Sequence, residues 1–189
     1  LDGELIIGLS DAELVRLGNE RGAVKLSSRD LGAAHALRDH GGTTVAGTLA
    51  AIALANASLG HADRGARRDP IRVFATGGIG GVHRGWTQQP DVSADLLALA
   101  RTPVCVVSAG AKSILDLPAT VEALDSLGVP VLGLATPWFP RFLTDGAAPL
   151  AVQREVPSVA IAARVCHAHW GTFASTTGIL LANPPPARF

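Results

Sequence analysis

The residues best suited to covalent chemistry stand at the ends of two short apolar runs. Val104-Cys-Val-Val-Ser-Ala-Gly-Ala-Lys112 delivers one lysine from among small residues. Arg72-Val-Phe-Ala-Thr-Gly-Gly-Ile-Gly-Gly-Val-His-Arg-Gly85 ends a glycine-rich loop with His83 and Arg84. Glycines let backbone N–H groups crowd around an anion, and an apolar cradle can make a lysine nucleophilic. Together the two junctions point to covalent chemistry on a phosphorylated small molecule.

Each residue also has a plainer reading. Lys112 becomes a nucleophile if burial and the positive end of a following helix, expected from Ser113-Ile-Leu-Asp-Leu117, disfavour its charged form. Otherwise it snorkels to solvent from a strand end. The glycine loop fails the dinucleotide pattern, with His83 where the third glycine belongs, and it fails the P-loop pattern too. It is either a tight turn or an anion cradle, and the His-Arg pair at its end favours substrate contact. Asp91-Val-Ser-Ala-Asp95 offers two carboxylates that would suit Mg²⁺ or Mn²⁺, or a helix capped by Ser93. Lys25-Leu-Ser-Ser-Arg-Asp30 and Gly41-Gly-Thr-Thr-Val45 read as phosphate sites at strand ends or as surface charges and helix caps. Cys166-His-Ala-His169 invites a metal, but on a helix His167 and His169 lie about 200° apart and do not converge.

Composition narrows the class. With 189 residues, 48% hydrophobic and 17% charged, the chain reads as one globular domain over 1–189. Net charge is zero and aromatic content 4%, so nothing draws it to nucleic acid or to a membrane surface. No apolar run is long enough to span a bilayer, and two cysteines form no disulfide framework. These features favour a cytoplasmic protein with a small-molecule substrate. The chain contains no Met and begins Leu-Asp-Gly, which reads as a fragment incomplete at both ends.

The positioning elements follow from alternation of short apolar runs with helical patterns, the signature of a layered α/β/α fold with a mostly parallel or mixed central sheet. Strands are expected at Leu5–Leu9, Ala23–Leu26, Val73–Thr76, Val104–Val107, Val131–Leu134 and Ile179–Leu181. Helices are expected from the capping box Ser10-Asp-Ala-Glu13 through Leu17, and over Thr44–Ala57, Ser93–Ala100, Ala119–Leu127 and Val159–Trp170. Asp30 is a candidate cap for a further helix. His61–Pro70 is polar and reads as a solvated loop.

Taken in order, Lys25–Leu31, Gly42–Ala46, Val73–Gly85, Asp91–Asp95, Ser108–Asp116 and Leu181-Ala-Asn-Pro184 resemble pseudouridine-5′-phosphate glycosidases over nearly the whole chain. That resemblance implies reversible cleavage of a C–C glycosidic bond to give uracil and ribose 5-phosphate. Lys112 would be the Schiff-base nucleophile, His83 a histidine near the reacting sugar, and Asp91 the ligand of a divalent metal, usually Mn²⁺. Lys25, Val45, Ser93, Ala94 and Asp95 would bind substrate, and the whole protein would be a homotrimer. It also implies a general-acid Glu upstream of Leu1 and a substrate-side Asn beyond Phe189, so this piece alone is expected to be inactive. Ser28 stands where relatives carry Arg, and His61–Pro70 looks inserted. A non-catalytic sugar-phosphate-binding module and a Schiff-base aldolase acting on another phosphosugar are the alternatives.

Overall fold

The computed structural model describes residues 10–59, 69–142 and 149–185, and the chain divides into two compact units, Leu1–Ile71 and Arg72–Phe189. The strand expected at Leu5–Leu9 and most of His61–Pro70 lie outside the described residues.

In the first unit the capping box forms as expected. The Ser10 hydroxyl accepts from the Glu13 N–H while the Glu13 carboxylate accepts from the Ser10 N–H at 2.8 Å, opening α1 (Asp11–Asn19). These bonds hold the exposed Glu13 carboxyl below its ordinary range. Strands β1 (Val24–Leu26) and β2 (Gly41–Thr43) pair in parallel, Lys25 opposite Gly42, across α2 (Leu31–Leu37). Asp30 occupies the N-cap position of α2, but its carboxylate turns back to accept the Ser27 N–H at 2.8 Å.

The sequence does not announce β2, because its two glycines carry no strand propensity. Close approach selects them instead: a Cβ on Gly41 would overlap the Val24 carbonyl oxygen. Thr44 then caps α3 (Val45–Leu59), its hydroxyl accepting from the Gly47 N–H at 3.1 Å. The helix buries Val45, Ala46, Gly47, Leu49 and Ile52.

The second unit is built on β3 (Val73–Ala75), β4 (Cys105–Ser108), β5 (Val131–Leu134), β6 (Arg154–Val156) and β7 (Ile179–Ala182). They lie side by side in the order β3-β4-β7-β5-β6, and every described pair is parallel. Central strands of such a sheet are covered on both faces, so they read as unbroken apolar runs. On one face Cys105, Leu132 and Leu181 form a core with Ala162 of α6 (Val159–His167). Strand alternation turns the buried Val106, Val131 and Leu180 to the other face, the side of α4 (Ala94–Arg101) and α5 (Leu117–Ser126). The α/β expectation holds. Edge strand β6 escaped the reading, since Arg154-Glu-Val has no apolar run; charged, short edges resist unwanted pairing.

The helix expected over Val159–Trp170 is α-helical only to His167, after which Ala168–Thr172 widen into a π turn. This brings His169 Nε2 to 2.9 Å from Thr177 Oγ1, and the Trp170 indole donates to the Thr177 carbonyl at 2.8 Å. Burial holds His169 below its ordinary 6.5, with hydrogen bonding to Thr177 opposing. Below that value the unfolded chain binds more protons than the folded one. His169 therefore favours the fold fully above about 6.5, and that contribution is lost as pH falls through its folded pKa. Melting temperatures taken from about pH 7.5 to 5 should fall more steeply for the wild-type chain than for His169→Gln. Parallel slopes would show that another group titrates.

Candidate active site

Strands β3 and β4 go on pairing past their ends. The Thr76 N–H donates to the Val107 carbonyl (2.9 Å), Ala109 to Gly77 (3.0 Å), Ile79 to Gly110 (3.0 Å) and Lys112 to Ile79 (3.2 Å). The glycine loop and the lysine loop thus form one ladder beyond the carboxyl edge of the sheet, where open parallel sheets place their ligands. Further on the pairing reverses: His83 bridges Leu115 in antiparallel sense, and the Asp116 N–H donates to the Val82 carbonyl at 2.9 Å. His83 and Lys112 are delivered to one short patch of backbone.

The glycines serve close packing as much as anion space. A Cβ on Gly80 would strike Ser93 and Asp95, and one on Gly81 would strike Thr120. Asp95, only 6% exposed, accepts the Gly80 N–H at 2.8 Å. Ser93 caps α4 as expected, accepting from the Asp95 N–H at 3.2 Å, and its own N–H donates to the Gly81 carbonyl at 2.9 Å. Ala94 is the exposed first residue of that helix. The N–H groups of Ile79, Gly80 and Val82 are therefore committed inside the protein, which narrows the cradle that the glycine pattern suggests.

Thr120 is a part of this scaffold that no motif reveals. It is fully buried, accepts the Val82 N–H at 3.0 Å and donates to the Asp116 carbonyl at 2.7 Å. Thr120→Val keeps the shape but strands a buried N–H beside His83, so a loss of about 1–3 kcal/mol in stability is expected. Urea unfolding would read it directly; a change below about 0.5 kcal/mol would mean that the loop does not depend on this bond.

Two expectations for Lys112 are corrected. Its neighbour Ala111 is buried, yet the lysine side chain is exposed, so the small residues before it shield backbone and not the amine. Nor does it start a helix. Lys112 opens a separate turn, closed by the Leu115 N–H on its carbonyl at 3.0 Å, and α5 begins only at Leu117, capped by Asp116 at 3.1 Å from the Ala119 N–H.

His83 Nδ1 lies 3.6 Å from Asp91 Oδ2, and the His83 N–H donates to the Asp91 carbonyl at 2.9 Å. Arg84 does not stand out toward an anion: its guanidinium donates to the carbonyls of Ser113 (3.1 Å) and Leu115 (3.3 Å). The second unit thus gathers His83, Asp91, Ser93, Ala94, Asp95 and Lys112. Lys25 and Val45 belong to the first unit, where Lys25 is exposed on β1 and Val45 is buried at the start of α3.

Phe142 also went unanticipated. It adopts a left-handed conformation (φ 62°), donates its N–H to the Ala109 carbonyl at 2.8 Å, and lays its ring against Gly77 and Gly78. Pro140-Arg-Phe142 carries no motif, and only the parallel order of β4 and β5 shows that their loops meet.

Among the described residues no three His, Cys, Asp or Glu side chains group as a metal cage. Asp91 is exposed and offers one carboxylate, which fits a largely hydrated Mg²⁺- or Mn²⁺-type ion and no dehydrated one. The Cys166–His169 segment is otherwise engaged. Cys166 packs on the core around Cys105, both as free thiols; a thiol–thiol hydrogen bond lowers the Cys166 pKa, while that hydrogen bond and burial push Cys105 well up. A cavity of about 520 Å³ lies there, lined by Arg72, Val107, Cys166 and Trp170 among others, and no candidate-site residue borders it.

The family model for indigoidine synthase A like protein matches residues 1–189. The chain belongs to that family. It is 48% identical over 189 residues to a pseudouridine-5′-phosphate glycosidase of Deinococcus radiodurans, covering 98% of this chain and 54% of that protein. The Chloroflexus aurantiacus protein of the same name is also 48% identical, with 100% and 58% covered. Among solved structures, a prealnumycin C-glycosynthase in complex with ribulose 5-phosphate aligns with TM-score 0.79 and 39% identity, over 94% of this chain and 53% of that one. An indigoidine synthase A-like protein from Thermotoga maritima aligns at 0.78 and 31%, over 95% and 54%. The family resemblance seen in the motifs is thus matched by independent comparison. The chain spans about half the length of the curated relatives it matches.

Proposed function

We propose that the chain carries the sugar-handling part of a pseudouridine-5′-phosphate glycosidase, which cleaves pseudouridine 5′-phosphate to uracil and ribose 5-phosphate. The observation that supports this most is the shared ladder that delivers His83 and Lys112 to one patch at the carboxyl edge of β3 and β4. The names of the relatives and the phosphosugar held by the C-glycosynthase agree with it.

A carbon–carbon glycoside has no oxygen leaving group, so the sugar carbon needs an electron sink. In this reading the Lys112 amine attacks C1 of the ribose as the ring opens. The electrons of the bond to the base stay with the base carbon, which takes a proton, while the Lys112 nitrogen forms the C=N bond. Water then releases ribose 5-phosphate and the free lysine. Lys25, Val45, Ser93, Ala94 and Asp95 would hold the substrate, the last chiefly by fixing the loop through Gly80. His83, oriented by Asp91, would face the sugar. A divalent cation such as Mn²⁺, held at Asp91 through a mostly water shell, would supply positive charge near the phosphosugar. A homotrimer in the cytoplasm completes the proposal for the whole protein; no described helix is long and apolar enough to cross a membrane.

The test is borohydride reduction of the chain with ribose 5-phosphate and Mn²⁺, followed by intact mass and peptide mapping. The chain has two lysines, Lys25 and Lys112, so the map has one built-in control. A reduced sugar adduct on Lys112 alone is expected. An adduct of equal yield on both, or none on folded protein, would remove the Schiff-base reading for this chain.

A further inference from the structure

We infer that Arg84 is a positioning residue for Lys112, its guanidinium fork fixing the turn from which the amine is presented. Its Nε donates to the Leu115 carbonyl at 3.3 Å and its Nη2 to the Ser113 carbonyl at 3.1 Å. These carbonyls flank Ile114 in the turn that Lys112 and Leu115 close. The turn has little packing of its own. Lys112 is exposed and Ile114 is 68% exposed, while the buried Ala111 and Leu115 hold only its two ends. What lies between depends on hydrogen bonds.

A planar guanidinium offers its donors in a rigid fork, whereas a lysine ammonium is a point charge on a flexible stem, so arginine is the residue that can hold two carbonyls in fixed relation. Arg84 also follows His83, which bridges Leu115. The same side chain thus couples the placement of His83 to that of Lys112. Misplacement of a reacting group by about 1 Å is enough to cost orders of magnitude in rate.

The inference rests on the nucleophilic reading of Lys112, and its test separates the two. Arg84→Gln is compared with wild type for the rate of borohydride-trapped Lys112 adduct with ribose 5-phosphate, its half-saturating concentration, and amide exchange over residues 112–116. The adduct rate at saturation is expected to fall by about tenfold or more, with half-saturation moved by less than about twofold and exchange of the turn accelerated. Added methylguanidinium should restore part of the rate in Arg84→Ala, which a general loss of folding would not allow. An unchanged adduct rate, or a raised half-saturation at unchanged rate, would overturn the inference; the latter would make Arg84 a substrate contact. If wild type forms no Lys112 adduct, the Schiff-base reading fails by itself. Exchange then still decides the clamp: acceleration in Arg84→Gln supports it, and no change overturns it.

Discussion

Replacing Lys112 by alanine is expected to abolish the reduced ribose 5-phosphate adduct and, in any form of the protein that turns over substrate, to lower kcat by about 10⁴-fold or more. Removal of a covalent nucleophile has effects of that size. Lys112→Arg should fail equally, because a guanidinium keeps the charge but cannot become an iminium. Stability should stay within about 0.5 kcal/mol, since the side chain is exposed and only the backbone of this residue joins the ladder. The variant is therefore a clean probe. Intact mass after reduction reads the adduct, and a melting curve reads the fold. Persistence of a sugar adduct in Lys112→Ala, at the yield of the wild-type chain, would place it on Lys25 or the α-amino group and end the proposed mechanism.

Gly110→Ala is expected to be the most damaging small substitution near the site. Gly110 has φ +81°, a left-handed conformation that costs an alanine about 1–2 kcal/mol, and its new Cβ would overlap the Pro140 carbonyl oxygen. That oxygen belongs to backbone, and Gly110 is held on both sides, by the Ile79 N–H on its carbonyl and by its bridge to Arg141. Neither neighbour can yield cheaply. A loss of about 3 kcal/mol or more is expected, which for a chain of this size lowers Tm by roughly 6–12 °C. Calorimetry would read it, and a drop of under about 3 °C would mean that the loop after β5 gives way freely.

Much of this arrangement is legible in the sequence. The apolar runs at Val104, Val131 and Ile179 become central strands because parallel sheets bury both faces, the run at Val73 pairs beside them as an exposed edge strand, and Ser10, Ser93 and Thr44 cap helices as their side chains dictate. What escaped depends on partners far along the chain. Gly41–Thr43 pairs with β1 through close approach and not through propensity. Thr120 and Phe142 carry no motif, and their roles exist only once α5 and the loop after β5 come back onto the glycine loop. The exposure of Lys112 was hidden for the same reason. Small residues before it suggested a cradle, but their backbones are spent on the ladder with the glycine loop.

That ladder has a consequence for how such a gene can change. Val73 pairs with Cys105, Ile79 with Ala111 and His83 with Leu115, all at one constant offset in sequence. Between these pairings the two segments are equal lengths of chain, abreast as far as Ile79 and Ala111 and reversed in sense at His83 and Leu115, and a single-codon insertion in either would shift the pairing beyond it. The Lys112 N–H would then lose its place on the Ile79 carbonyl even with each motif letter intact. Substitutions can accumulate within the two loops, but length can change only in both together, so matched insertion or deletion is the route by which this pair of segments could grow or shrink and still pair Ile79 with Ala111 and His83 with Leu115.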